Sequence, residues 1–181
     1  TDHAIFMELL ALHGLADDDP GEAFRQATAA YLRELPGCIA GREGVVLPGV
    51  ERLLDELADS HGKVGLATGN MRRGAAIKLG HFGLWERFAC GGFGDDTPVR
   101  AQVVATGMHA LAGELGLAAT PSGTIVLGDT PLDVEAAHAA GAKALAVATG
   151  RYEVAALRAA GAEHVLADLS DTAAVLDILR G

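Results

Sequence analysis

The sequence predicts an α/β protein, a doubly wound parallel sheet carrying a small helical cap, and three observations carry that reading. After residue 49, strand-like apolar runs alternate with segments of helical period, the pattern that leads to parallel pairing with crossover helices. Hydrophobic residues make up 50% of the chain but aromatic ones only 4%, so Ala, Leu, Val and Gly carry the packing and let helices lie close on a sheet. Two of the runs end in polar residues: Val64-Gly65-Leu66-Ala67-Thr68-Gly69-Asn70 and Thr124-Ile125-Val126-Leu127-Gly128-Asp129. Both read as buried parallel strands delivering side chains to the carboxyl edge of an open sheet, where ligands bind.

Taken in order, residues 4–35 have helical periodicity, with Phe24, Ala27, Tyr31 and Leu35 on one stripe, and are broken at Asp17-Asp18-Asp19-Pro20-Gly21. That predicts a helical hairpin. Three consecutive aspartates suggest a metal cluster, but a solvated, capped turn accounts for them better. Residues 36–49, rich in Gly and Pro, predict a linker and hinge. The following elements are expected as helix 50–58, strand 63–67, helix 72–82, short strand 88–90 and a helix reaching 115 that Thr97 caps, with Pro98 at its first position. Strand 124–127, helix 132–140 stopped by Gly141, strand 144–147, helix 153–160 stopped by Gly161, strand 164–166 and helix 172–179 complete the series. The division that follows is a cap over residues 1–44 and a core over 45–181.

The 181 residues suffice for one sizeable core and an accessory element. Formal charge is −10, and Lys and Arg nowhere form a run, which argues against nucleic acid or an anionic membrane as partner. No apolar stretch approaches transmembrane length. Cys38 and Cys90 are too few and too isolated for a disulfide framework or a zinc site, which fits a reducing cytoplasm.

Asp129 ends a buried strand, and Asp133 follows one helical turn later. Two close carboxylates repel unless a cation lies between them, and for hard oxygen ligands that cation is Mg²⁺. Helix capping offers a second account of part of this run: Thr130 as N-cap, Pro131 at the first position, Asp133 as capping-box acid. It leaves Asp129 unexplained. Thr68, Gly69 and Asn70 offer a hydroxyl, a backbone N–H and an amide ahead of a helix N-terminus, a set that can cradle phosphate or form an ordinary turn. Arg100 stands in the first turn of its helix, where a cation opposes the dipole by roughly 0.3–1 kcal/mol; it or Lys78 could offset phosphoryl charge. His109 and His138 are expected on helix surfaces, Asp95 and Asp96 as acids at the start of the Thr97 helix. No nucleophile elbow of Gly-x-Ser-x-Gly type is present.

Together these pieces resemble the haloacid dehalogenase superfamily, in particular its phosphoglycolate-phosphatase-like branch. Leu47-Pro48-Gly49-Val50 looks like the start of the family core after a helical cap, and Leu66-Ala67-Thr68-Gly69-Asn70 resembles the second motif, whose Thr binds the transferring phosphoryl group. Val126-Leu127-Gly128-Asp129-Thr130-Pro131-Leu132-Asp133 resembles the fourth motif, Gly-Asp-x-x-x-Asp, which holds Mg²⁺; Ala148-Thr149-Gly150 and Ala160-Gly161-Ala162 are similar to the closing strands. The resemblance implies a Rossmann-like core and a Mg²⁺-dependent phosphatase acting on a small phosphorylated metabolite through an aspartyl-phosphate. Asp129 and Asp133 would serve the metal, Thr68, Gly69 and Asn70 the phosphate, and Arg100 or Lys78 would replace the family's third-motif Lys.

The family's first motif, Asp-x-Asp on the first strand, which supplies nucleophile and general acid, does not occur in these residues. The expectation is therefore that the natural protein extends upstream of Thr1 by that strand and part of the cap, and that the strand lies between those ending at Thr68 and Asp129. Two other readings compete: a metal-independent haloacid dehalogenase, against which the Asp129/Asp133 pair argues, and a non-catalytic relative that binds a phosphorylated ligand or a protein.

Overall fold

The structure is a computed structural model describing residues 1–15, 19–60, 62–95, 97–116 and 123–181. Two helices, α1 (Asp2–Leu12) and α2 (Pro20–Ala40), pack on each other ahead of the core. The core runs α3 (Val50–Asp59), β1 (Gly65–Ala67), α4 (Arg72–His81), a 3₁₀ turn at Trp85–Arg87, β2 (Cys90–Gly92), α5 (Arg100–Leu115) and β3 (Ile125–Gly128). It continues with α6 (Pro131–Ala139), β4 (Lys143–Val147), α7 (Val154–Ala159), β5 (His164–Leu166) and α8 (Thr172–Arg180). All strand pairs are parallel, so the α/β class stands.

Among the described residues the strands form two sheets, β1-β2 and β3-β4-β5. Central strand β4 shows why helices cover both faces of the second. Its side chains alternate: Leu145 and Val147 join Leu53, Leu169 and Val175 under α3 and α8, while Ala144 and Ala146 join Val134, Ala137 and Leu157 under α6 and α7. Leu145, Leu157 and Val175 are fully buried, each contributing roughly 1.5–3 kcal/mol of transfer free energy.

The other two site-bearing strands are not buried as their apolar runs suggest. Leu127 in β3 is 42% exposed, and Ala67 in β1 is exposed as well. The reason is topological: among the described residues β1 pairs only with β2 and β3 only with β4, so each keeps one open edge. Helix α5 spans the division, packing on β1 and β2 and also on α6.

Several local expectations shift. Helix α2 continues through Pro36 to Ala40, so the linker begins later than its Gly and Pro content suggests. A proline in the last turns forfeits one internal hydrogen bond, and the neighbouring Leu35 is buried, which offsets that loss. Strand β2 falls on Cys90-Gly91-Gly92 rather than on 88–90, a tract that strand propensity disfavours. Gly92 is required by contact: a Cβ there would stand 2.0 Å from the Val103 carbonyl oxygen of α5. Thr97 does not start α5, which begins at Arg100 with Val99 as its N-cap; instead its hydroxyl accepts from the Val99 N–H and donates to Gln102 Oε1.

Of the aspartate turn, Asp17 and Asp18 lie outside the described residues, and Asp19 caps α2 by accepting from the Glu22 N–H at 2.9 Å. Cys38 and Cys90 are both free, and no described helix is long and apolar enough to cross a membrane. Burial raises the Cys90 thiol above its ordinary value, with Glu114 adding to the effect.

Candidate active site

The first half of the site grows from the end of β1. The Thr68 N–H donates to the Gly92 carbonyl at 3.1 Å, extending the pairing one residue past the strand. Its hydroxyl oxygen accepts from the Asn70 backbone N–H at 3.2 Å and from Asn70 Nδ2 at 2.8 Å. The Lys78 ammonium, reaching back from α4, donates to Asn70 Oδ1. A threonine hydroxyl has one proton and two lone pairs. With both lone pairs engaged, the Thr68 O–H is left as a donor.

Acids from other segments secure the loop. Asp2 donates its N–H to the Gly69 carbonyl at 2.6 Å and accepts the Met71 N–H at 2.9 Å. Asp95 accepts the Arg72 N–H at 2.5 Å. Asp95 therefore serves the start of α4, not the helix that follows it in sequence, while Asp96 lies outside the described residues. Both acids satisfy backbone donors that a helix start otherwise leaves unpaired.

The second half grows from β3. Thr130 and Asp133 form a complete capping box at the start of α6. Asp133 Oδ2 accepts from the Asp129 N–H at 3.2 Å, the Thr130 N–H at 3.0 Å and the Thr130 hydroxyl at 2.8 Å. Its other oxygen accepts Arg100 Nε at 3.0 Å and Nη2 at 2.5 Å. The capping account of Asp133 is thus realised, and the same carboxylate fixes the Asp129 backbone and pairs with Arg100. Asp129 itself is half-buried, and among the described residues nothing donates to its carboxylate. Its Oδ2 lies where a Gly150 Cβ would come within 2.2 Å, so the loop after β4 must be bare there.

These residues suit a divalent cation of one kind. Among the described residues no group of three or more His, Cys, Asp or Glu side chains gathers into a cage. Mg²⁺ needs none, because it keeps several waters and binds through one or two carboxylates together with substrate oxygens. An unpartnered Asp129 at the carboxyl edge fits that donor set.

The structure thus joins Thr68, Asn70 and Lys78 into one hydrogen-bonded cluster, and Asp129, Asp133 and Arg100 into another. His109 and His138 sit exposed on α5 and α6, as expected. Thr130 caps α6 as its sequence context predicts, whereas Asp2 and the part Gly150 plays beside Asp129 escape a reading by sequence. Only Gly150, in the tract Ala148-Thr149-Gly150, carried a signal.

The haloacid dehalogenase-like hydrolase family matches residues 3–141, and the chain belongs to it. Solved structures of similar fold include a predicted phosphatase from Clostridium acetobutylicum, 19% identical, with a TM-score of 0.68 over 95% of this chain and 77% of that one. A predicted phosphoglycolate phosphatase from Haemophilus somnus 129pt is 20% identical, with a TM-score of 0.64 over 88% and 68%. A beta-phosphoglucomutase from Clostridium difficile is 15% identical, with a TM-score of 0.64 over 97% and 77%. No curated protein matches the sequence.

Proposed function

We propose that this hydrolase is a Mg²⁺-dependent phosphatase acting on a small phosphorylated metabolite, with residues 1–44 as cap and 45–181 as catalytic core. The observation that carries the proposal is the paired ending of β1 and β3: a hydroxyl donor at Thr68 on one, an unpartnered carboxylate at Asp129 on the other. The Thr68 O–H and Gly69 N–H would donate to the phosphoryl oxygens. Asn70 would keep the Thr68 proton directed at them. Asp129 would hold Mg²⁺, supported by Asp133, and Arg100 or Lys78 would balance the remaining charge. When bound, Mg²⁺ supplies charge neutralisation at the phosphoryl group.

The nucleophile in this reading is an Asp on a strand upstream of Thr1, pairing with the open edges of β1 and β3. Those edges and the exposed Leu127 support it, since an open strand edge with apolar side chains beside it is a ready template for a further strand. Free Cys38 and Cys90 are compatible with a cytoplasmic setting. The test is release of phosphate from small phosphate monoesters by the natural-length protein. Mg²⁺-dependent turnover that Asp129→Asn abolishes is the expected result. Turnover of a 2-haloacid without metal, in place of ester hydrolysis, would overturn the proposal.

A further inference from the structure

Lys78 and Arg100 compete on sequence for the same duty, and their surroundings separate them. Arg100 is half-exposed at the start of α5 and forks onto Asp133, beside Asp129. Lys78 is half-buried on α4, and its ammonium donates one of its three N–H groups to the Asn70 side-chain oxygen. Its other neighbour comes from the helical pair. Lys78 Nζ stands 5.9 Å from the centroid of the Tyr31 ring of α2, within reach of a cation–π attraction.

That ring is itself held. Gly74, one turn before Lys78 on the same face of α4, has no side chain, and the space is used: a Cβ there would meet Tyr31 Cε1 at 3.6 Å and the Tyr31 hydroxyl at 3.8 Å. On its far side Phe6 of α1 packs edge-on against Tyr31, ring centroids 5.4 Å apart. A continuous series therefore runs from α1 through Phe6, Tyr31, Lys78 and Asn70 to the Thr68 hydroxyl.

The series has a chemical consequence. A side-chain amide can point either way, and its partners decide which atom faces which. A lysine ammonium only donates, so it can face only Oδ1, which turns Nδ2 toward Thr68 and fills the second lone pair of that hydroxyl. We infer that Lys78 and Tyr31 are positioning residues: the helical pair, through the Tyr31 ring, holds Lys78 on Asn70 and so keeps the Thr68 proton available to an anionic oxygen. The inference rests on the phosphate-binding reading of Thr68, and it adds that docking of α2 on α4 sets the readiness of that site.

The test follows the Asn70 side-chain NH₂ signals by NMR in the ¹⁵N-labelled natural-length protein, and titrates each variant with inorganic phosphate. Tyr31→Leu and Lys78→Met should both displace the Asn70 signals and weaken phosphate binding about threefold to tenfold. Tyr31→Phe, which keeps the ring, should retain both properties. A merely structural Tyr31 would lower the melting temperature and leave the Asn70 signals in place, and that outcome overturns the inference. So does a Phe variant that behaves like the Leu variant. Should Tyr31→Leu fail to fold, Lys78→Met alone decides, since it leaves the ring and its Gly74 seat untouched. If the wild-type chain binds no phosphate, the phosphate reading fails by itself. The Asn70 signals still judge the positioning series: displaced in Lys78→Met they support it, unmoved they refute it.

Discussion

The strand ends after β1 and β3 answer the same demand with opposite polarity. After β1, an amide and an ammonium occupy the acceptor sites of Thr68 and leave a proton donor. After β3, a capping box and a guanidinium occupy Asp133, fixing the Asp129 backbone while its carboxylate stays an open acceptor. In each half a neighbour absorbs the structural hydrogen bonding and one group is left over. An unpartnered polar group gives up stability, so finding one at each of these two carboxyl ends is a stronger functional sign than either alone.

Removing the open acceptor is the largest way to break this pairing. Asp129→Asn should reduce Mg²⁺-dependent hydrolysis in the natural-length protein by at least about a hundredfold. Its melting temperature should stay close to that of the parent, because no described group donates to that carboxylate. Steady-state kinetics over a Mg²⁺ titration, with calorimetry alongside, measures both. A matching loss of melting temperature would place Asp129 in the scaffold instead.

Two glycines test whether the halves differ in rigidity. Gly92→Ala places a methyl 2.0 Å from the Val103 carbonyl oxygen, a backbone atom of α5 that cannot move alone. Overpacking of this kind costs about 1–3 kcal/mol or more, read as a lower melting temperature. Gly150→Ala meets the Asp129 side chain, Oδ2 at 2.2 Å and Cγ at 3.2 Å, and that carboxylate can rotate away. Stability should hold to within about 1 kcal/mol, while Mg²⁺ affinity falls about tenfold as the carboxylate leaves its place. Equal destabilisation by both would mean that the second half is as rigid as the first.

The contrast also explains what could be read from sequence. Thr68, Asn70, Asp129 and Asp133 were legible because each follows an apolar run, and a strand that ends in polar residues delivers them to one edge. Strands β4 and β5 were legible for the same reason. The division of the sheet was not, because an apolar run reports that a strand forms but not which neighbour pairs with it, so Leu127 looked buried. β2 was displaced because Gly91 and Gly92 are chosen for close approach, Gly91 to the Leu66 carbonyl of β1 and Gly92 to α5, which propensity cannot express. Asp95 and Asp2 act across long sequence separations, on helix α4, where no local pattern points to them. Pro36 misled in the opposite sense, since a buried Leu35 outweighs one lost bond.

Asp133 sharpens the comparison by separating structure from charge. Asp133→Ala removes the reciprocal half of the α6 capping box, leaving Thr130 as N-cap, and should cost about 0.5–1.5 kcal/mol, together with the hold on Arg100. Asp133→Asn keeps an acceptor for the Thr130 N–H but loses the charge opposite Arg100. The melting temperature should therefore fall in the order parent, Asn, Ala, whereas Mg²⁺ affinity should fall in both variants. If neither variant lowered the melting temperature, Asp133 would owe its place to the metal alone.

The smallest effect lies away from the site, where β4 begins, and it bears on how the second sheet is held. Glu163, just before β5, accepts the Ala144 N–H at 2.7 Å and contacts His138 Nε2 at 3.2 Å. The backbone hydrogen bond, with a smaller contribution from His138, holds the Glu163 carboxyl below its ordinary value of 4.5. A folded-state value below the unfolded one means that the ionised carboxylate stabilises the fold. That contribution is complete above the ordinary value and is lost as pH falls through the lowered one. Because Glu163 is 39% exposed, solvent screening keeps the effect under about 1 kcal/mol. Glu163→Gln should then bring the melting temperature of parent and variant together in acid and separate them near neutrality, the parent higher. A gap that widened on acidification would mean that the Ala144 N–H is held more firmly by a neutral side chain, and the ion-assisted link between β4 and β5 would have to be abandoned.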